Sequence, residues 1–236
     1  MQRLPDLPVF FSPQGPDLTG IITMDSTEFR HAVSVLRLDT GSSILVADGN
    51  GRYYECRIDA VGKKSLSARV TGMYHRDKDS EYDLVLAFAF IKNRQRLEWM
   101  LEKATELGAS GIVLFKSARS ERDKVRTDRL ENILVSALKQ CKRYFLPRLS
   151  ESNSIDDVIA KYPGYELIVA HEKTEPETNI PPTPTRKKVL FIGPEGGFTN
   201  EEIATLTRHG AITISLGPNR LRAETAALAL LSKFLM

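Results

Sequence analysis

Three stretches of the chain combine residue types that could hold a ligand and act on it. Gly193-Pro194-Glu195-Gly196-Gly197-Phe198 follows a short apolar run and precedes a helical pattern. Glycines at a strand-to-helix turn let the backbone approach a ligand closely, and free amides at a helix start donate hydrogen bonds. The bland alternative is a tight turn that merely needs glycine. The second stretch, Ser215-Leu216-Gly217-Pro218-Asn219-Arg220-Leu221-Arg222-Ala223-Glu224-Thr225-Ala226, also leaves an apolar run and enters a helix. His171-Glu172 ends a third apolar run in the same manner. Loops at the C-terminal ends of strands are where open α/β sheets bind ligands. The pattern contains neither GxGxxG nor GKS/GKT, so neither a dinucleotide fingerprint nor a P-loop is present.

Metal and nucleophile chemistry have little support. His31, His75, His171 and His209 are scattered, with no HExxH and no CxxC, so no metal site is proposed. Cys56 and Cys141 carry no nucleophile signature, and Cys141 falls on an apolar helical stripe. With two cysteines and no signal-like N-terminus, the expected compartment is reducing and cytoplasmic. No apolar run reaches ~18 residues, so no membrane span is expected.

The 236 residues suit one large domain or two small ones. Hydrophobic residues at 42% and charged residues at 27% exclude global disorder and leave enough apolar material for a core. The net charge of +3 conceals a local imbalance. Residues 116–148 carry 10 basic and 4 acidic side chains, against 8 and 8 in residues 1–75. Such a stretch can meet a polyanion, or can be a solvated surface.

These residues need elements to position them. Residues 1–74 form a predicted β-rich domain of barrel-like closure. It contains a run at Pro8–Phe11 and a helix over Ser26–Leu38 capped by Ser26 or Thr27. A hairpin follows, over Ile44–Ala47 and Tyr53–Ile58 around Asp48-Gly49-Asn50-Gly51, and then a strand at Ser65–Thr71. His75–Glu81 reads as the linker. Residues 75–236 alternate strands (Leu84–Phe90, Gly111–Phe115, Glu166–Ala170, Val189–Ile192, Ile212–Leu216) with helices (Arg94–Leu107, Thr127–Arg143, Thr199–Arg208, Ala223–Leu235). That alternation predicts an α/β domain with a mostly parallel sheet covered on both faces. Glu172–Lys188, with four prolines, reads as a loop. The last helix is apolar nearly all round, so its cover is either a second subunit or the rest of the domain.

At the loops the sequence resembles a known family. Ile192-Gly193-Pro194-Glu195-Gly196-Gly197-Phe198 and Leu216-Gly217 with Leu221-Arg222-Ala223-Glu224-Thr225-Ala226 are similar to the two cofactor loops of the RsmE-type 16S rRNA uridine-N3 methyltransferases, of the SPOUT class. Glu102-Lys103-Ala104-Thr105-Glu106-Leu107-Gly108, Ser117-Ala118-Arg119-Ser120, Gln140-Cys141-Lys142-Arg143 and His31-Ala32-Val33-Ser34-Val35-Leu36-Arg37 match further stretches in order, although Lys139 replaces the usual Glu. The resemblance implies a SPOUT domain with a deep trefoil knot and an N-terminal PUA-like RNA-binding barrel. It implies S-adenosylmethionine as cofactor and a homodimer. The implied substrate is 16S rRNA within the small ribosomal subunit, methylated near the decoding region. Asn219-Arg220 stands where the family commonly has Arg and an aliphatic residue, so Arg220 is not given the family arginine's role.

The implied cofactor contacts are Ala170, His171, Ile192, Gly193, Pro194, Glu195, Gly196, Gly197, Ser215, Leu216, Gly217, Leu221, Arg222, Thr225 and Ala226. Uridine N3 holds a proton and attacks well only after losing it, so the protein must help remove that proton or stabilise the anion. Arg222 is the candidate for the anion. Glu224 and Glu195 are the nearest carboxylates, each with a structural alternative as a helix cap or loop brace. Arg30, His31, Arg37, Arg119, Arg122, Lys142 and Arg143 are the candidate RNA contacts. The rival readings are a non-enzymatic RNA-binding assembly factor and a nucleotide-dependent α/β enzyme.

Overall fold

The computed structural model describes residues 3–121, 125–172, 174 and 185–235. The chain divides into two compact units, Met1–Asp79 with Leu138–Leu146, and Ser80–Ala137 with Pro147–Met236.

In the first unit, β1 (Val9–Phe11), β2 (Ile21–Asp25), β3 (Ser43–Ala47), β4 (Arg52–Val61) and β5 (Ser65–His75) form one sheet in the order β1-β3-β4-β5-β2. β1 runs parallel to β3 and the other pairings are antiparallel. The β3–β4 hairpin turns where Asp48-Gly49-Asn50-Gly51 predicted it. Asp48 Oδ1 accepts the amides of Asn50 at 2.7 Å and Arg52 at 3.0 Å. Gly51 has φ +100°, and a Cβ there would lie 2.6 Å from the Arg76 carbonyl oxygen. Both edge strands send side chains into the same core as the central ones, Phe10 and Ile22 beside Ile44, Cys56, Ile58 and Leu66, so the sheet curls around that core.

The helix expected over Ser26–Leu38 is two short pieces, α1 (Ser26–Arg30) and a π-helical turn over His31–Val35. Asp25 holds the N-cap position without a side-chain bond, and Ser26 sits at φ +48°, so neither expected cap is used.

The opposite face of β3 is also apolar, at Leu45 and Ala47. Leu138, Tyr144, Phe145 and Leu146 cover it, which is why residues 138–146 belong with this unit. Tyr144 meets Tyr53 edge-to-face at 5.0 Å, and Tyr53 Oη donates to the Arg143 carbonyl at 3.1 Å. Asp79 fixes the segment, accepting from Arg143 Nε (3.0 Å) and from the amides of Tyr144 (3.2 Å) and Phe145 (3.1 Å).

The second unit holds β6 (Asp83–Ala89), β7 (Gly111–Phe115), β8 (Arg148–Ser152), β9 (Glu166–Ala170), β10 (Lys187–Ile192) and β11 (Ile212–Ile214). All neighbours are parallel, in the order β11-β9-β10-β6-β7-β8. Its helices are α2 (Arg94–Leu107), α3 (Thr127–Cys141, of which Leu138–Cys141 count with the first unit), α4 (Ile155–Lys161), α5 (Asn200–Arg208) and α6 (Ala223–Lys233). Val85, Ala87, Val113, Phe115, Val189 and Phe191 face α4 and α5 through Ile155, Val158 and Leu206. The alternating residues Leu84, Leu86, Phe88, Leu190 and Ile192 are equally buried, on the face that α6 crosses with α2 packed against it. Continuous apolar strands are what a parallel sheet covered on both faces requires. Gly108, with φ +109°, ends α2 as its spacing predicts.

Candidate functional site

Three neighbouring strands, β11, β9 and β10, end at one cavity of about 730 Å³. The loops after them supply its walls: Ala170, His171 and Glu172; Ile192 to Glu195 with Gly197 and Phe198; and Ser215 to Ala223 with Ala226. Of the fifteen residues expected to hold a cofactor, the cavity gathers all but Gly196 and Thr225. Gly196 faces Arg119, and Thr225 lines a second, adjoining cavity.

The middle loop is built by close contacts. Gly197 N–H donates to the Pro194 carbonyl at 2.8 Å, and Gly197 has φ +67°. A Cβ on Gly193 would meet the Phe198 amide nitrogen at 3.1 Å and the Gly197 carbonyl carbon at 3.2 Å. Phe198 stacks on Phe115 at 6.4 Å, which anchors the loop to the sheet. The Thr199–Glu202 capping box forms as its spacing predicts. Glu202 does more than cap. Its Oε1 also accepts from Ser117 Oγ (2.7 Å) and the Ala118 amide (2.8 Å), tying the loop after β7 to the loop after β10.

Four arginines line the cavity: Arg96, Arg119, Arg220 and Arg222. Against them stand the carboxylates of Glu172 and Glu195, so the cavity carries excess positive charge. Three of the arginines have protein partners. Arg119 Nη1 donates to the Gly196 carbonyl at 2.6 Å, and its side chain packs over Gly196. Arg220 reaches Glu172 at 3.5 Å and the Glu195 carbonyl at 3.4 Å, so it spans all three loops. Arg96 Nε lies 3.5 Å from Glu224 Oε1. The Arg222 guanidinium makes no hydrogen bond or ion pair with the described residues. It stands at the start of α6, whose N-terminus adds positive potential.

Of the two candidate carboxylates, Glu195 takes the loop-brace alternative, whereas Glu224 makes no helix-capping bond and pairs with Arg96 instead. Glu195 Oε1 accepts the Lys92 amide at 3.1 Å and so braces its loop. Glu224 is buried, and its carboxylate faces Arg96 and the smaller cavity instead of the main one.

The candidate RNA contacts are dispersed. Arg30 and Arg37 are exposed, and His31 is half-buried against Phe10. Arg119 is in the cavity wall. Lys142 is bonded to Asp6 and the Pro5 carbonyl. Arg143 is only 10% exposed and is spent on Asp79, so it is a structural residue, not a free phosphate ligand. Arg122 lies outside the described residues. Among the described residues no group of three or more His, Cys, Asp or Glu could hold a metal, and no helix is long and apolar enough to cross a membrane.

Known proteins share this arrangement. Residues 78–235 match the family model described as an RNA methyltransferase domain, and residues 25–71 match the RNA methyltransferase PUA domain. The chain belongs to this RNA methyltransferase family. It is 29% identical over 220 residues to ribosomal RNA small subunit methyltransferase E of Bacillus subtilis, covering 87% of this chain and 86% of that one. The protein of the same name from Mycobacterium tuberculosis is 29% identical over 231 residues, covering 93% and 87%. A crystal structure of ribosomal RNA small subunit methyltransferase E from Neisseria gonorrhoeae, bound to S-adenosylmethionine, superposes with TM-score 0.84 at 26% identity, covering 96% of each chain.

As a member of an RNA methyltransferase family, the chain has its glycine-loop cavity at strand ends that local sequence signals locate. Those signals miss Arg96. It belongs to the first turn of α2, where nothing in the local pattern sets it apart from Arg94, and it reaches the cavity only through the packing of α2 on α6.

Proposed function

We propose that this chain transfers the methyl group of S-adenosylmethionine to N3 of a uridine in 16S rRNA, within the small ribosomal subunit near the decoding region. It acts as a cytoplasmic homodimer with a trefoil-knotted SPOUT domain. The carrying observation is the uncommitted Arg222 guanidinium in the wall of the glycine-loop cavity.

The residues present fit such a cofactor. Gly193 admits backbone where a Cβ would collide, and Ile192, Leu216, Leu221 and Phe198 offer apolar contact for a purine ring. Glu172 and Glu195 place negative charge near a cationic ligand. S-adenosylmethionine, when bound, supplies a methyl group already made electrophilic by a sulfonium. The chain's own task is the uridine. Loss of the N3 proton leaves charge on the base, and Arg222 stabilises it within the cavity. Glu195 and Glu224 are committed to Lys92 and Arg96, so the proton passes to solvent. Exposed Arg30 and Arg37 contact phosphates, which position RNA without reading its bases.

The test is methyl transfer to small subunits that lack the modification, read by nucleoside mass spectrometry. The expected product is 3-methyluridine. Arg222→Ala should lower the rate about 100- to 1,000-fold at saturating S-adenosylmethionine. Methylation of another base would refute the uridine assignment, and absence of cofactor binding would favour a non-enzymatic RNA-binding factor.

A further inference from the structure

The loop after β7 contributes one side chain to the large cavity, Arg119. The backbone that carries it is fixed. The Ser120 amide donates to the Ser117 carbonyl at 3.0 Å, and Ser120 Oγ accepts the Ser117 amide at 3.2 Å. Glu202 ties this turn to the start of α5, with Oε1 accepting from Ser117 Oγ and the Ala118 amide and Oε2 accepting the Thr199 amide at 2.8 Å. α5 lies on the sheet face opposite α2 and α6. From there the Arg119 side chain reaches the glycine turn, where Nη1 donates to the Gly196 carbonyl at 2.6 Å. Its Nε and Nη2 make no hydrogen bond or ion pair with the described residues. Gly196 and Gly197 are glycines for different reasons. Gly197 has φ +67°, whereas the φ of Gly196 is not positive, so its backbone does not call for glycine by handedness. What a side chain there would meet is Arg119, with the Cβ 3.2 Å from Cδ and 3.5 Å from Cβ of the arginine. Gly196 is the floor on which the arginine stem lies. Pro194, Glu195 and Gly197 line the cavity and Gly196 does not, so the turn gives its inner side to the cavity and its outer side to Arg119.

We propose that Arg119 is a positioning residue that couples the two substrates. Its Nη1 braces the turn that holds S-adenosylmethionine, its Nε–Nη2 edge takes a backbone phosphate of the RNA, and each ligand therefore tightens the binding of the other. The inference rests on the small-subunit rRNA part of the reading above and not on which base is methylated.

A guanidinium presents its donors in a rigid fork, and Nε with Nη2 forms one edge that matches two oxygens of a phosphate. Arg119 belongs to the basic stretch 116–148. In that stretch Lys142 is paired with Asp6 and Arg143 with Asp79, whereas Arg119 keeps a whole edge for a polyanion. The side chain is exposed and held by one hydrogen bond, so it exchanges between a rotamer docked on Gly196 and rotamers swung away from it. A phosphate bound to the docked side chain depopulates the others. The docked side chain in turn holds the glycine turn in the conformation whose inner atoms line the cavity. The cofactor acts in the opposite direction. By fixing the turn from inside, it keeps the Gly196 carbonyl where Nη1 reaches it. Such coupling is reciprocal, so the factor by which RNA tightens the cofactor equals the factor by which the cofactor tightens RNA. Lysine has the charge but no second edge, so it can hold the carbonyl or the phosphate and not both.

The experiment measures two equilibria without turnover. S-adenosylhomocysteine, which has no methyl group to transfer, stands in for the cofactor. Its affinity is measured by equilibrium dialysis with and without saturating small subunits that lack the modification, and the affinity of those subunits is measured with and without it. In the wild type each ligand should tighten the other by about tenfold. In Arg119→Ala the tightening should fall to about onefold, while S-adenosylhomocysteine alone binds within about threefold of the wild-type affinity. The same variant should flatten the dependence of log affinity for the subunits on log salt by about 0.7–0.9, the worth of one phosphate contact. Arg119→Lys should keep that salt dependence and still lose the coupling. Gly196→Ala keeps the guanidinium and lifts its stem from the floor, so it should lose the coupling too. A brace with no RNA contact would weaken both ligands in Arg119→Ala and leave the tightening at the wild-type factor, which overturns the inference. Coupling retained in Arg119→Lys and Gly196→Ala overturns it as well. If the wild-type protein methylates small subunits and yet neither ligand tightens the other, this inference fails alone. If small subunits do not bind the wild-type protein at all, the small-subunit reading fails and this inference falls with it.

Discussion

Gly193→Ala isolates the contribution of the loop backbone to cofactor binding. The added methyl would meet three atoms, the Phe198 nitrogen at 3.1 Å and the Gly197 carbonyl carbon and Phe198 Cδ2 at 3.2 Å each. Two of the three are backbone, and the third belongs to a ring held against Phe115. None can swing aside as a flexible side chain would, so the turn must shift by a few tenths of an ångström. Such overpacking costs about 1–3 kcal/mol. If the whole cost falls on folding, the melting temperature drops by about 2–4 °C per kcal/mol for a chain of this size. If the turn instead relaxes away from its binding geometry, S-adenosylmethionine affinity falls about tenfold for each 1.4 kcal/mol. Calorimetric titration together with a thermal melt separates the two. Neighbouring glycines are controls. At Gly197 a Cβ has open space, but φ is +67°, so Gly197→Ala is strained by its backbone alone, at about 1–2 kcal/mol. At Gly196 the Cβ meets Arg119 Cδ at 3.2 Å, a side chain that can move, so Gly196→Ala should be the mildest of the three. A Gly193→Ala protein with wild-type stability and wild-type cofactor affinity would refute the reasoning.

Two further outcomes concern stability. Asp79→Ala removes the acceptor for Arg143 and two backbone amides at a site where both side chains are at most 13% exposed, and should cost about 3–5 kcal/mol in urea unfolding. Tyr165 is pushed up to about 12, by burial first and then by its hydrogen bond to Asp83. Its contribution to stability is complete below the ordinary tyrosine value and is lost as pH rises through about 12. Ultraviolet titration of Tyr165→Phe should show one late-ionising tyrosine fewer than the wild type, and the variant should have a flatter alkaline decline in stability.

The sequence was most legible where the relevant interactions are local. The limits of α2, β7 and β9, the Asp48–Gly51 turn, the Thr199–Glu202 capping box and the two glycine loops all follow from spacing within a few residues. Periodicity, caps and positive-φ glycines act over that range. β2, β8 and α4 were not legible. Arg148-Leu149-Ser150-Glu151-Ser152 has one apolar residue, and it is a strand because β7 offers it an edge. The expected helix over Ser26–Leu38 divides because the α-helical hydrogen-bond pattern gives way after Arg30 to the Leu36-to-His31 bond of a π-turn.

Residue order alone is enough to specify an α/β protein with a basic stretch, an apolar last helix, and glycine loops able to hold a ligand. How the charges are used depends on the folded arrangement. It spends Arg143 on Asp79, Glu195 on the Lys92 amide and Glu224 on Arg96, and among the described residues it leaves Arg222 free in the cavity wall. The reason is distance along the chain. Glu195 and Lys92 are 103 residues apart, and no local pattern shows which charges the fold will bring within hydrogen-bonding reach.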